Sequence, residues 1–258
     1  MDLGLTGRAA LVTGASAGIG RAIAMGLARE GARIAVTGRR LAELESLGHE
    51  ITAAGGTAPV IVVHDALKDT YVESITQAIT ALGPLQILVN NAGGSRAFGM
   101  EGGAPGSEAW GTEAQWDEAL TLNFTRHRQL THRVLPQMIA GGWGRVINIT
   151  GKSEPEGLNG AFCAKAAVTA WAKGLSREVG KHGITVNCIP PGRIMSDQIR
   201  RNYTPEYRAW QSEHEIPVGR YGEPGELADL AVFLASPRAG YITGAVLPVD
   251  GGLRRYQY

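Results

Sequence analysis

Two stretches of this chain carry residue types and spacings suited to holding a phosphorylated ligand. The first is Leu11-Val12-Thr13-Gly14-Ala15-Ser16-Ala17-Gly18-Ile19-Gly20, where an apolar run from Ala9 to Val12 stops at a glycine-rich turn. A helical pattern follows from Arg21 to Ala28. Glycine lets the backbone approach a ligand closely and reach positive φ. Bare N–H groups at the helix start, with the aligned peptide dipoles behind them, then favour a phosphate. The spacing is Gly-x-x-x-Gly-x-Gly, not the Gly-x-Gly-x-x-Gly of the commonest dinucleotide fingerprint. A strand–helix turn with small residues chosen for packing is the plainer reading of this stretch alone. The second stretch is Thr37-Gly38-Arg39-Arg40. An acid at such a turn would accept from a ribose 2′-OH, whereas arginine pairs with a 2′-phosphate. Arg39 stands there without an acid, which favours NADP(H) and leaves NAD(H) as the weaker alternative. Two solvated arginines opening a helix are the competing account.

These groups need a scaffold. Strand-like runs fall at Ala9–Thr13, Arg33–Thr37, Pro59–Val63, Ile87–Val89, Val146–Ile149, Ile184–Ile189 and Ala245–Val249, with amphipathic helical patterns between most of them. Short apolar strands alternating with helices predict a parallel sheet covered on both faces, in which ligands bind beyond the carboxyl ends of the strands. The segment after each strand is therefore where chemistry belongs. After the third comes His64-Asp65-Ala66. Asp65 is placed to hold an adenine amino group or, equally, to cap a helix; His64 reads as a bystander. After the fourth comes Asn90-Asn91-Ala92-Gly93-Gly94, small residues and amides suited to line a cofactor.

The totals agree with an ordinary globule. The chain has 258 residues, 44% of them apolar and 19% charged, without a linker, low-complexity block or internal repeat, so one α/β domain over 1–258 is expected. A net charge of +1 gives no basic footprint for nucleic acid. Two cysteines, Cys163 and Cys188, are too few for a disulfide framework and suit a reducing compartment. No apolar run reaches a membrane span, and Met1-Asp2-Leu3-Gly4 does not start like a signal peptide. A cytoplasmic protein is the expectation; no membrane, nucleic-acid or metal partner is expected.

Thr13-Gly14-x-x-x-Gly18-x-Gly20 together with Asn90-Asn91-Ala92-Gly93 resembles the short-chain dehydrogenase/reductase family. Pro191-Gly192-Arg193-Ile194-Met195-Ser196 and Tyr241-Ile242-Thr243-Gly244 followed by Val249-Asp250-Gly251-Gly252 extend the likeness over nearly the whole chain. It looks closest to the branch that includes 3-oxoacyl carrier-protein reductases. The resemblance implies a doubly wound Rossmann domain, a nicotinamide cofactor and a homotetramer or homodimer. It assigns Gly14, Ser16, Gly18, Ile19, Gly20, Arg39, Asp65, Ala66, Asn91, Ile194 and Ser196 to cofactor contact, with Ile194 beside the nicotinamide carboxamide and Ser196 where threonine is usual. Asn123, within the helical run from Trp116, matches the family's active-site asparagine, whose carbonyl holds a water in a proton relay. Mid-helix is otherwise a poor place for asparagine. Arg126, His127, Arg128, His132 and Arg133 on the same run are expected to be solvated or interface groups.

The chain departs from the family where proton transfer is expected. Lys165 matches the lysine of the family's Tyr-x-x-x-Lys motif, yet the residue four places earlier is Ala161, and Gly151 stands at the place of the catalytic serine. Hydride delivery to a carbonyl needs a proton donor on the developing alkoxide. The family's tyrosine supplies it, its pKa lowered by the lysine ammonium; alanine does neither. Lys165 is still suited to hold the nicotinamide ribose. The intervening segment Gly151-Lys152-Ser153-Glu154-Pro155-Glu156-Gly157 offers replacements: Ser153 by a shift of register, Lys152 or a glutamate as acid or base. A polar surface loop beside a lost active site is the competing reading, and it implies an NADP(H)-binding protein without turnover, a sensor or a silent subunit. A stretch from Gly94 to Ser107, longer than the family carries, either covers the substrate or is a surface insertion. The region 193–216 matches the family's substrate lid. Its Arg193, Arg200, Arg201 and Arg208 suit a small anionic substrate or form solvated faces, and Tyr203 is a further replacement donor.

Overall fold

The computed structural model describes residues 1–94, 110–151 and 157–255. Six strands, β1 (Ala9–Val12), β2 (Arg33–Gly38), β3 (Val60–Val63), β4 (Ile87–Asn90), β5 (Gly144–Ile149) and β6 (Ile184–Ile189), form one sheet in the order β3-β2-β1-β4-β5-β6. Every pairing is parallel, and β1 carries both central ladders, with Val12 opposite Val36 on one side and Val89 on the other. Every residue of β1, β4, β5 and β6 is buried, the pattern of strands covered on both faces. The chain leaves β1 toward one edge and resumes at β4 toward the other, so the crevice between these two strands is the point where the winding reverses.

Helices α1 (Gly18–Arg29) and α2 (Leu41–Ala53) follow β1 and β2, and α3 (Tyr71–Ala78) follows β3. After β4, α4 (Glu113–Leu120) runs through a π-helical turn (Thr121–Thr125) into α5 (Arg126–Ala140). The remaining helices are α6 (Gly160–Val179), α7 (Asp197–Asn202), α8 (Pro205–His214) and α9 (Pro224–Ala235). Two apolar cores flank the sheet. One joins Ile23, Leu27, Leu44, Leu47, Leu227 and Ala231 of α1, α2 and α9; the other joins Ile75, Leu130, Val134 and Val168 of α3, α5 and α6. Helices α1 and α9 touch closely because residue 26 is glycine: a Cβ there would lie 2.8 Å from Val232 Cγ2.

The expected strand at Ala245–Val249 forms only isolated bridges, Cys188 with Val246 and Pro191 with Val249. Its backbone bonds run Cys188 N to Ala245 O (2.9 Å), Leu247 N to Cys188 O (2.9 Å) and Val249 N to Pro190 O (3.1 Å). Pro190, Pro191 and Pro248 lack the N–H groups that would complete a ladder. The other six strands agree with expectation to within a residue or two at their ends.

Candidate active site

The reversal point opens into a cleft of about 610 Å³ over the carboxyl ends of the strands. Its floor is the turn after β1. Gly14 has φ +67°, and a Cβ there would sit 2.8 Å from Ala92 Cα; one on Gly20 would sit 2.5 Å from Gly14 O. Only glycine lets the turn fold this tightly against the segment after β4. Ala17, which precedes α1, supplies no capping bond, and the first turn of α1 holds no acidic residue. The opening N–H groups of a 12-residue helix thus face the cleft through Gly18, Ile19 and Gly20 with the dipole behind them.

All the residues assigned to cofactor contact, Lys165 apart, line this one cleft: Gly14, Ser16, Gly18, Ile19 and Gly20 from the turn, Arg39 after β2, Asp65 and Ala66 after β3, Asn91 after β4, and Ile194 and Ser196 after β6. Several side chains also have structural duties. Asn91 Nδ2 donates to Thr13 O (2.9 Å) and Gly14 O (3.0 Å), while Thr13 Oγ1 accepts from Asn91 N (2.9 Å) and Ala92 N (3.0 Å), stitching the ends of β1 and β4 together. Asp65 Oδ1 accepts from Leu67 N (3.0 Å) within a turn rather than capping a helix, since α3 starts after Thr70. Ser196 caps α7 by accepting from Ile199 N (3.2 Å) and lies across from Gly18. Ile194 is buried against Gly222. Arg39 and Arg40 are both exposed on the cleft wall; Arg40 donates to Ser16 O (3.4 Å) and lies 3.8 Å from Glu43. His64 lines the cleft, with its ring nitrogens 2.9 Å from Asp65 O and 3.1 Å from Thr70 Oγ1.

At the far end of the cleft, Asn123 lies fully buried in the π-helical turn. Its Oδ1 accepts from Gly94 N (3.1 Å), and its Nδ2 donates to Gly94 O (3.0 Å) and Ala119 O (2.9 Å). A single widened turn inside a helix frees backbone groups from the regular ladder, which is why such turns gather at functional sites. Lys165 projects from α6 to the same place. A Cβ built on cleft-lining Gly93 would lie 2.8 Å from Asn123 Oδ1 and 3.7 Å from Lys165 Nζ. Lys165 Nζ donates to Thr150 O (3.2 Å), and burial pulls its pKa down to about 8. Ala161 is buried one helical turn before it, and a Cβ on Gly151 would meet the Lys165 stem at 3.0 Å. Ser153, Lys152, Glu154 and Glu156 lie outside the described residues, as does 95–107 of the long stretch after Gly94.

Two residues expected at the surface are buried. His127 sits behind the cleft floor with Nε2 2.6 Å from Ala92 O and no partner on Nδ1; burial, with the Lys165 charge nearby, holds its pKa down to about 4. Arg126 donates to Ala66 O (2.8 Å), Lys68 O (3.1 Å) and Asp69 Oδ1 (3.0 Å), fastening the loop after β3. The signal was present in the sequence: Asn123, His127, Leu130 and Val134 share one helical face, so the apolar stripe extends back through them. Tyr71, also unanticipated, is the tyrosine on the described cleft wall; burial outweighs its bonds to Thr37 and Thr13 and pushes its phenol up to about 12. Tyr203 does not line the cleft. Its hydroxyl accepts from Arg193 (3.2 Å) and its ring stacks on Tyr207. Arg201 does line it.

A glycine turn against an uncapped helix start, at the winding reversal of a parallel sheet, defines a dinucleotide-binding α/β protein. Residues 14–254 match the family described as Enoyl-(Acyl carrier protein) reductase. The chain is 34% identical to the 3-oxoacyl-(acyl-carrier-protein) reductase FabG of Pseudomonas aeruginosa over 97% of its own length and 99% of that protein's. It is 33% identical to the gluconate 5-dehydrogenase of Gluconobacter oxydans, over 96% and 95% of the two chains. The structure of L-sorbose reductase from Gluconobacter frateurii, solved with NADPH and L-sorbose, superposes with a TM-score of 0.89 at 29% identity, covering 99% of this chain and all of that one. The chain belongs to the short-chain dehydrogenase/reductase family. Among the described residues no helix is long and apolar enough to cross a membrane.

Proposed function

We propose that this chain is an NADP(H)-dependent oxidoreductase that interconverts a carbonyl and a hydroxyl on a small anionic substrate, using a proton donor other than the family's tyrosine. The observation that carries the reading is one cleft with the bare start of α1 and Arg39 along its wall and Asn123 and the half-buried Lys165 at its end. The cradle fits a dinucleotide: the N–H groups of Gly18, Ile19 and Gly20 would face the diphosphate, Arg39 the 2′-phosphate, and Asp65 and Ala66 the adenine. Asn91 would line the path to the nicotinamide, Lys165 would hold its ribose, and Ile194 and Ser196 would flank its carboxamide. When bound, the nicotinamide supplies or accepts the hydride. The chain's own task is then to seat the carbonyl and move a proton. Asn123 would order a water at the relay, and Ser153 and Lys152 stand near in sequence as donors beside Lys165. Helices α7 and α8, within residues 193–216, would form a substrate lid whose arginines favour an anion. A single domain, a cytoplasmic location and a homotetramer or homodimer complete the proposal.

NADPH bound in the L-sorbose reductase relative supports the cofactor choice. Ala161 and Gly151 support a second reading, NADP(H) binding without turnover. One experiment separates them: NADPH oxidation is followed across a panel of neutral and carboxylate-bearing ketones and aldehydes. The oxidoreductase reading expects the wild-type chain to turn over at least one of them. Turnover seen only after the double change Gly151→Ser and Ala161→Tyr would favour the silent reading and contradict the first.

A further inference from the structure

Resting on the oxidoreductase reading, we propose that Lys165 is itself the proton donor to the carbonyl oxygen, in addition to holding the ribose. Its ammonium lies at the end of the cleft, close to Gly93, whose built Cβ would also touch Asn123 Oδ1. Of its three N–H bonds one is directed at Thr150 O, which leaves two for ligands. Among the described residues no carboxylate is paired with it. One helical turn earlier the side chain is the methyl of Ala161, which carries no proton to donate.

Of the other described groups nearby, Glu118 lines the cleft from α4 and is already engaged in an interaction of its own, and the rest are unsuited to the task. His127 faces Lys165 from α5, but it is neutral and its Nε2–H is directed at Ala92 O. From the end of β5 the neighbours are the Thr150 carbonyl and Gly151, neither of which carries an acidic proton. Tyr71 lies under Thr13 and Thr37 with its proton held more tightly than in water. The amide of Asn123 is spent on Gly94 and Ala119. Burial brings the lysine toward neutrality, where a general acid is both protonated and willing to donate.

The step balances. The carbonyl carbon takes the hydride supplied by the reduced nicotinamide, the carbon–oxygen π pair moves to oxygen, and that oxygen takes a proton from Nζ. The carbonyl is reduced by two electrons and the nicotinamide oxidised by two. The neutral amine left behind regains its proton from solvent.

Lys165→Arg keeps the positive charge and its ribose contact but cannot release a proton at accessible pH. With the best carbonyl of the panel, the expected result is a loss of kcat of at least about 100-fold with the NADPH Kd, read by fluorescence titration, changed less than about threefold. The wild-type rate should fall on an alkaline limb that Lys165→Arg lacks. Lysine-selective 13C NMR of the NADPH-bound wild-type chain gives the Lys165 midpoint independently of turnover, and it should coincide with that limb. An arginine variant that keeps both rate and limb overturns the assignment, as does a limb that disappears in Lys152→Met or an NMR midpoint that departs from it. If the arginine variant fails to fold, the match between NMR midpoint and limb decides alone. A chain that binds NADPH but reduces nothing overturns the function reading and this assignment with it, an outcome distinct from the others.

Discussion

Lys165 keeps a charge in a place that disfavours charge. Its folded pKa of about 8 lies below the ordinary 10.5, so folding favours the neutral amine. Stability is therefore present at pH above 10.5 and lost as pH falls toward 8. At pH 7 the chain carries this cost, on the order of 1–3 kcal/mol for a half-buried ammonium. Replacing it with Met should raise the stability of the ligand-free chain at pH 7 by about 1–3 kcal/mol, an advantage that shrinks between pH 8 and pH 10 in denaturant titrations. A Met variant less stable than wild type at both ends of that range would contradict this account. At this scale the sequence was legible where backbone geometry leaves no choice, as with Gly14 and Gly20. It was not legible where a side chain's use depends on its backbone neighbours. Asn91 stitches β1 to β4, Asp65 caps its own turn, and His127 vanishes behind Ala92, all through contacts set by the fold.

Two elements that frame the cleft are the start of α1 and the π-helical turn. The first depends on close approach: a Cβ at Gly20 would press on Gly14 O at 2.5 Å, which is too short for a carbon–oxygen contact. Gly20→Ala should open the turn and weaken NADPH binding by at least about tenfold, while lost packing costs about 1–3 kcal/mol. Fluorescence titration and urea unfolding read the two effects separately, and unchanged affinity would remove the turn from the phosphate site. The second element was only half legible. Asn123 stood out as a poor mid-helix residue, but the wide turn that relieves it depends on Gly94, far away in sequence, accepting and donating to its amide. The failed seventh strand has the opposite lesson. Its apolar run reads as a strand, yet it makes only isolated bridges beside β6, and the prolines that break its ladder were in plain view.

Across the whole molecule, the alternation of short apolar runs with helices made the architecture legible, since each run buried on both faces demands parallel neighbours and two covering layers. The order of those strands places every carboxyl end that carries a candidate residue around one crevice. What the alternation does not encode is the chemistry beside Lys165, where the neighbouring 152–156 lie outside the described residues. The nucleotide site is the claim on which the rest depends, and it is tested most directly by calorimetric titration of the wild-type and Arg39→Ala chains with NADPH and NADH. The account predicts that wild type binds NADPH at least about tenfold more tightly than NADH, a phosphate–guanidinium preference, and that Arg39→Ala erases the difference. No measurable affinity for either nucleotide, or equal affinity in the wild-type chain, would contradict it.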